Sequence, residues 1–201
     1  MQIYDNLIPL EYQEEIKNLL LTPNFPWYFQ ESNVDDKYQR MLIVKGNYNS
    51  YKFNDKNPQF THLFFLNDEI RTDQIHFNII KPLIELIGNK FDIKNSNINK
   101  LRKIKANLLL PSRLTCENEY NIPHTDMPKE SNTALYYVND CDGDTILFKE
   151  NLHTYKDVFN KDISISPKMG RVAFFDSSKY HTSSCPINSK YRIVLNIVYS
   201  T

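Results

Sequence analysis

The feature that most limits the fold of this chain is a series of short apolar runs in its second half. From Ile98 onward, runs rich in Ile, Leu, Val, Tyr and Phe are separated by clusters of Asn, Asp, Gly and Pro. Runs of this length and composition predict β-strands joined by turns. Strands that follow one another without helices favour a sandwich or barrel, and the jelly roll is the form that commonly houses a ligand. We expect strands at residues 101–110, 134–138, 144–148, 162–165, 171–175 and 192–199.

Two helices are predicted before these strands. Pro9 precedes early acidic residues and apolar positions at helical spacing, and Pro23 ends this first pattern. A second helical pattern covers residues 72–87, with Gly88 as its expected C-terminal stop. Pro82 lies inside the second pattern, so we expect it to bend the helix or to split it in two.

The chain has no internal repeat and no low-complexity linker, which predicts a single domain for its 201 residues. Two earlier runs, at residues 40–44 and 62–66, predict outer strands. We therefore expect a mainly β protein with flanking helices. In this prediction, residues 1–97 support a double-stranded β-helix (jelly roll) core formed by residues 98–201.

Composition excludes several classes of partner. Lys plus Arg equals Asp plus Glu at 24 each, so no net positive field attracts nucleic acid in bulk, although this balance is compatible with a local basic groove. The N-terminal segment carries acids among its apolar residues, unlike a signal peptide, and no run is long enough to span a membrane. These patterns predict a cytoplasmic protein. Cys116, Cys141 and Cys185 are odd in number and include no C-x-x-C pair, so we expect free thiols.

His124, Asp126 and His181 form a candidate metal site. In an extended backbone residues i and i+2 point to the same side, so His124 and Asp126 converge on one point. Alone this is weak, because an H-x-D triplet occurs by chance in roughly a third of such chains. His181 follows the apolar run at residues 171–175 and would alone be interpreted as a loop histidine. Together the three residues match the two-histidine, one-carboxylate ligand set of non-haem iron(II) oxygenases.

The last predicted strand carries one arginine in a nearly apolar run. Arg192, Val194 and Asn196 share one face of that strand. If this face lines the interior, the guanidinium group needs an anion, and its planar fork suits the far carboxylate of 2-oxoglutarate. The alternative is that Arg192 pairs with an acid from elsewhere in the chain. We expect Asn196 to help hold the carboxylate or a bridging water, with a backbone-bonded core amide as the alternative.

The order of these motifs resembles that of the iron(II)- and 2-oxoglutarate-dependent oxygenases, and most closely their prolyl-hydroxylase-like branch. In both, H-x-D is followed by a distal histidine and then, here eleven positions later, by an arginine on the last core strand. Residues 135–140 followed by Gly143 resemble the strand and turn that this branch carries after its H-x-D. Residues 170–182 resemble the pattern around its distal histidine. The resemblance covers about residues 98–201.

The resemblance implies roles for further residues. Tyr137 matches the tyrosine that commonly hydrogen-bonds the distal carboxylate of the cosubstrate, and Leu135 shares its face and would pack beside the cosubstrate. Leu110 is a departure, because some relatives carry there a tyrosine that contacts the cosubstrate. The implied cofactors are Fe(II), 2-oxoglutarate and O2. The implied reaction hydroxylates a C–H bond of a peptidyl or amino-acid-like substrate and releases succinate and CO2.

Two other classes of protein fit parts of the pattern. A non-catalytic jelly-roll module, such as a viral structural or ligand-binding domain, has the same fold and would carry the triad incidentally. A metal-dependent cupin-like enzyme would keep the metal ligands and would not need an inward arginine. Arg192 together with the triad is the feature that separates the oxygenase from both.

Overall fold

The structure is a computed structural model that describes residues 1–32, 53–54, 57–93, 100–112, 120–126, 130–151 and 159–200. Within these residues the two helices are α1 (Leu10–Leu21) and α2 (Gln74–Lys90). The strands are β1 (Gln2–Tyr4), β2 (Tyr28–Gln30), β3 (Phe53–Asn54), β4 (Gln59–Leu66), β5 (Glu69–Ile70), β6 (Leu101–Leu109), β7 (Tyr120–Asn121), β8 (Ser131–Tyr137), β9 (Thr145–Asn151), β10 (Lys161–Ile165), β11 (Val172–Asp176), β12 (Lys179–Ser183) and β13 (Arg192–Ser200).

Most strands form two sheets. The large sheet has the order β1-β11-β8-β13-β6-β4-β2, and β5 pairs with β4 at its side. The small sheet has the order β10-β9-β12, and β3 and β7 form a separate parallel pair. Neighbouring strands of both sheets run antiparallel. The mainly β class and the double-stranded β-helix core predicted from the sequence are confirmed.

The strand predictions differ from the structure at a few positions. All six predicted core strands are present, and the run at residues 62–66 belongs to the longer β4. The run at residues 40–44 lies outside the described residues. The interpretation of His181 as a residue of the loop after a strand is wrong, because it lies on β12. This strand follows β11 after two turn residues and pairs with β9 in the other sheet.

The two faces of the large sheet have different roles. On β13, Ile193, Leu195 and Ile197 point to the face that α1 and α2 cover. Side chains alternate along a strand, so the residues between them point away from the helices. Among the described residues, the apolar core between this sheet and the helices is larger than the other buried apolar clusters. Burying each of its large apolar side chains contributes roughly 1.5–3 kcal/mol. Its helical members include Ile16, Leu20, Phe77, Ile80, Leu83 and Ile87.

Pro82 lies within α2, which continues through it as one helix. Proline disturbs the hydrogen bonds of the preceding turn, and a hydroxyl group from α1 satisfies the groups left open. The Tyr12 hydroxyl donates to the carbonyl oxygen of Ile79 at 2.6 Å and accepts from the amide of Leu83 at 3.1 Å. Burial raises the pKa of Tyr12 to about 12. The two helices are therefore joined at the proline.

The expectation that α2 stops at Gly88 is wrong by one short turn. The helix continues to Lys90, and Phe91 caps it with a φ of −100°. An ordinary residue adopts this backbone angle, so the stop does not need glycine. At its other end, the Asp73 carboxylate accepts a hydrogen bond of 2.7 Å from the amide of Ile75, which is a normal N-terminal cap.

Other expectations concern the whole chain. Cys141 and Cys185 are free thiols as expected, and Cys116 lies outside the described residues. No helix within the described ranges has both the length and the apolarity that a bilayer crossing requires. The single-domain organisation stays a prediction. In its favour, β1 and β4 from the predicted supporting portion pair with β11 and β6 from the predicted core.

Candidate metal and dicarboxylate site

His124 and His181 lie opposite each other on two antiparallel segments. The amide of each histidine donates to the carbonyl oxygen of the other, and both distances are 2.9 Å. Opposite residues of an antiparallel pair point to the same side, so the two rings meet. Their centroids are 4.7 Å apart. The backbone thus brings together two imidazoles that are far apart in the sequence.

Asp126 completes this group. Its amide donates to the carbonyl oxygen of Ser177 at 3.1 Å, and its Oδ2 lies 3.4 Å from Nε2 of His181. One potential ligand atom from each of Asp126, His124 and His181 lies within 4.8 Å of the other two. Divalent first-row metals bind imidazole nitrogen and carboxylate oxygen at about 2.1 Å, so neighbouring ligand atoms lie about 3 Å apart. The three side chains fit such an ion.

The hydrogen bonds of the two imidazoles assign their protons. Nδ1 of His124 lies 3.2 Å from the carbonyl oxygen of Ile122, and Nδ1 of His181 lies 3.0 Å from that of Lys179. A carbonyl only accepts, so each Nδ1 carries a proton, and in the neutral ring that binds a metal the lone pair is therefore on Nε2. Burial, assisted by the nearby His181, lowers the pKa of His124 to about 3. His124 is therefore neutral, as a metal ligand must be.

Three side chains hold the Asp126 carboxylate in place. Oδ2 accepts from the Thr133 hydroxyl at 2.7 Å, while Oδ1 accepts from Nδ2 of Asn196 at 2.8 Å and lies 3.4 Å from Nζ of Lys103. Burial alone would raise the pKa of Asp126. The charge of Lys103 and the hydrogen bond from Thr133 oppose burial, and the pKa of Asp126 lies well below its usual range. The carboxylate is ionised and oriented before any ligand arrives.

Arg192 lies at another part of the same cavity. Its side chain is only 3% exposed, and Nε donates to the carbonyl oxygen of Gly143 at 2.8 Å. Nη2 donates to the hydroxyl of Thr145 at 2.7 Å. A side chain at Gly143 would place its Cβ 3.1 Å from Cδ of Arg192 and closer still to the backbone of Ser184, so glycine permits this approach. Among the described residues no carboxylate pairs with Arg192, which leaves Nη1 available for an anion.

Thr145 is a residue that the sequence analysis missed. Its Oγ accepts hydrogen bonds from both Arg192 and the hydroxyl of Tyr137, the latter at 2.8 Å. Because both neighbours donate, the proton of Thr145 is free to point at a ligand. Tyr137 is fully buried and, in the structure described, reaches the cavity through Thr145. The only sequence signal for Thr145 was its place on the predicted strand at residues 144–148, on the same face as Leu147.

A cavity of about 300 Å³ connects the triad with Arg192 and Thr145. The triad lies along it, Arg192 and Thr145 also line it, and Leu135 and Val194 contribute apolar wall. The roles given to Arg192, Tyr137, Asn196 and Leu135 stay predictions. Asn196 differs most from expectation, because its amide nitrogen holds Asp126 and its buried Oδ1 has no partner among the described residues.

Fold and site together define a double-stranded β-helix protein whose cavity holds a two-histidine, one-carboxylate group. No protein-family model and no curated protein sequence matches the chain. Among solved structures, the non-haem α-ketoglutarate-dependent epimerase SnoN from nogalamycin biosynthesis is similar, with a TM-score of 0.60 and 11% identity over 98% of this chain and 77% of that chain.

Two further solved structures are similar. A Pseudomonas putida prolyl-4-hydroxylase has a TM-score of 0.53 and 12% identity, covering 99% of this chain and 91% of that chain. An oxidoreductase of the 2OG-Fe(II) oxygenase family from Burkholderia pseudomallei has a TM-score of 0.53 and 11% identity, covering 94% of this chain and 90% of that chain. At these identities the likeness establishes the fold, which is the one that these oxygenases have.

Proposed function

We propose that this protein is an iron(II)- and 2-oxoglutarate-dependent oxygenase. The observation that carries the proposal is the pairing of two sites in one cavity. One is a triad of two histidines and one aspartate with Nε2 atoms turned to a common point, and the other is the buried Arg192 without a carboxylate partner among the described residues. A metal with open positions and a separate cation are what a chelating dicarboxylate needs.

The protein's own residues would hold each group. His124, Asp126 and His181 would bind Fe(II), while Arg192 and Thr145 would bind the far carboxylate of 2-oxoglutarate. Iron, 2-oxoglutarate and O2 supply the oxidising chemistry, in which the cosubstrate becomes succinate and CO2. The chain supplies position and exclusion of water. Asn196 and Thr133 hold the Asp126 carboxylate in the orientation in which it would bind the metal.

The strand geometry leaves room for this ligand. Arg192 and Asn196 are four residues apart on β13, so their Cα atoms are separated by about 13 Å. 2-Oxoglutarate has four carbon–carbon bonds of about 1.5 Å and extends at most about 6 Å. The remaining distance is available to the side chains of Arg192 and Asn196.

We further propose that the reaction is hydroxylation of a C–H bond in a peptidyl or amino-acid-like substrate. Asp126 supports hydroxylation over halogenation, because a carboxylate ligand occupies the position that a halide would take. The structural likeness to a prolyl-4-hydroxylase favours an amino-acid-like substrate. The likeness to an epimerase means that the product itself must be identified. A non-catalytic jelly-roll module is the second candidate, and it gives no reason for a buried arginine that shares a cavity with the triad and has no carboxylate partner among the described residues.

Anaerobic addition of Fe(II) and 2-oxoglutarate tests the assignment. We expect a visible charge-transfer band that requires both additions, followed by succinate formation when O2 enters. Mg²⁺ in place of Fe(II) is the matched control and should give neither signal. Absence of both signals with Fe(II) would replace the oxygenase with the non-catalytic module. The band without succinate would retain the metal and cosubstrate site and reject the oxidative activity.

A further inference from the structure

Strand β6 presents two lysines to the cavity. Lys103 and Lys105 lie on its cavity face together with Asn107, while Ile104 and Ala106 between them belong to the core under the helices. This alternation follows from the strand repeat of two residues. The lysines are therefore part of the wall of the cavity rather than of an outer surface.

The two lysines differ in their partners. Lys103 contacts the Asp126 carboxylate at 3.4 Å, whereas Lys105 has no ion pair or hydrogen bond among the described residues. Burial, and then the charge of Lys103, lower the pKa of Lys105 to about 8. At neutral pH the amine is still mostly protonated, so a positive charge with no partner in the described part of the chain faces the cavity.

The register of the sheet places Lys105 at the metal end, because its partner Asn196 donates a hydrogen bond to Asp126. The charge of Lys105 interacts with those of Lys103 and Asp126, and it also lowers the pKa of His124. In the register of the sheet, Lys105 lies opposite Asn196, whereas Arg192 lies opposite Leu109. Lys105 and Arg192 thus belong to different parts of the cavity. Arg192 would hold the far carboxylate of the dicarboxylate and the metal would hold the other, so neither carboxylate depends on the lysine.

The charges of the complete site also call for a further anion. Among the described residues that line the cavity, Lys103, Lys105 and Arg192 contribute three positive charges and Asp126 one negative charge, so these residues carry a net charge of two positive. Fe(II) adds two positive charges and 2-oxoglutarate two negative charges, which cancel. The surplus therefore remains in the loaded site, and uncompensated charge in a partly buried cavity is unfavourable.

We propose that Lys105 binds an acidic group of the primary substrate, a carboxylate or a phosphate, beside the metal ligands. Lys103 adds to the positive field while it stays paired with Asp126. This inference rests on the proposed function, because that function defines a primary substrate. It narrows the substrate class to molecules that carry an acid group a short distance from the bond that reacts.

Anion titrations of the loaded protein test this directly. The protein is saturated with Mn²⁺ and 2-oxoglutarate, so that Arg192 is occupied and no oxidation occurs, and acetate or inorganic phosphate is then titrated in a calorimeter. We expect one further anion to bind. Lys105→Met should weaken it at least about tenfold, Lys105→Arg should largely retain it, and Lys81→Met on the exposed face of α2 should leave it unchanged. The anion that binds more tightly identifies the acidic group.

The same titrations distinguish failure of this inference from failure of the proposed function. If Lys105→Met binds the further anion as the wild type does, or if it instead weakens 2-oxoglutarate tenfold, the inference is overturned while the proposed function stands. If the wild type binds neither Mn²⁺ nor 2-oxoglutarate, the proposed function fails. Phosphate titration of the metal-free wild type and of Lys105→Met then tests Lys105 alone, and equal affinities would reject its role. Thermal unfolding of each variant verifies that it is folded.

Discussion

The two faces of strands β6 and β13 have opposite characters. Toward the helices these strands present buried apolar side chains such as Ile104 and Leu195, and toward the cavity they present Lys105, Arg192 and Asn196. Neighbouring residues in the sequence therefore belong to different environments. Stability and ligand binding are thus encoded at alternate positions of the same strands. Substitutions at two adjacent residues should therefore affect different properties.

The largest expected effect is on the cavity side, at the metal ligand Asp126. Asp126→Ala removes the only carboxylate of the triad and leaves Lys103 unpaired. We expect succinate formation to fall to the background of the assay, a loss greater than the roughly 10- to 100-fold caused by removing a supporting partner of a ligand. Asp68→Ala, on an exposed turn, is the control. Iron-dependent turnover equal to that of the wild type in Asp126→Ala would contradict the site.

The adjacent residues Leu195 and Asn196 test directly whether the two faces of β13 have separate roles. Leu195→Ala opens a cavity under the helices and should destabilise the protein by about 2–5 kcal/mol, with unchanged metal affinity in the molecules that remain folded. Asn196→Ala removes the hydrogen bond to Asp126 and should weaken metal binding about 10- to 100-fold. Denaturant unfolding and Co²⁺ titration measure the two properties. Leu195→Val is a milder variant if the alanine variant does not fold. Equal effects on stability and on metal affinity at both positions would contradict separate roles for the two faces.

At the other part of the cavity, Arg192→Met keeps the length of the side chain and removes its charge. We expect the KM for 2-oxoglutarate to rise about 10- to 100-fold, because one charged hydrogen-bonding partner is lost, with a smaller change in kcat. Arg192→Lys should recover only part of the loss, since an ammonium group cannot form the two parallel bonds of guanidinium. An unchanged KM in both variants would remove the arginine from cosubstrate binding.

The smallest expected effect is on the helix side, at Tyr12. Tyr12→Phe removes the hydroxyl that bridges Ile79 and Leu83 at the proline in α2, and we expect a loss of about 1–3 kcal/mol in the free energy of unfolding. Metal and 2-oxoglutarate affinities should not change. Urea denaturation with both ligands titrated in parallel measures this, and a selective loss of ligand affinity would mean that the two faces are coupled.

Much of the fold was predictable because alternation of side chains is a local property. The repeat of two residues placed Arg192 and Asn196 on one face, and the H-x-D spacing placed His124 and Asp126 on one side. Which side chain each residue contacts is not local. Asn196 bonds to Asp126, which is 70 residues away in the chain, and Arg192 bonds to the Thr145 hydroxyl, 47 residues away.

The same reason explains the other differences. The two lysines of β6 appear in the sequence as ordinary polar positions, and only the closing of the sheet places them beside the metal ligands. The continuation of α2 through Pro82 depends on a hydroxyl from α1, which no helix propensity contains. Local rules thus predicted elements and faces, whereas contacts between distant segments determined the partners of the side chains.

The antiparallel pair of His124 and His181 has a consequence for the unfolded chain. An ion bound to both residues cross-links positions 57 residues apart and reduces the number of conformations that the denatured chain can adopt. By the loop-closure relation for a cross-link of this span, the lost chain entropy corresponds to about 4 kcal/mol. A bound metal would therefore act as a reversible cross-link. Removing it with a chelator would abolish the reactivity of the site and lower the stability of the protein against unfolding.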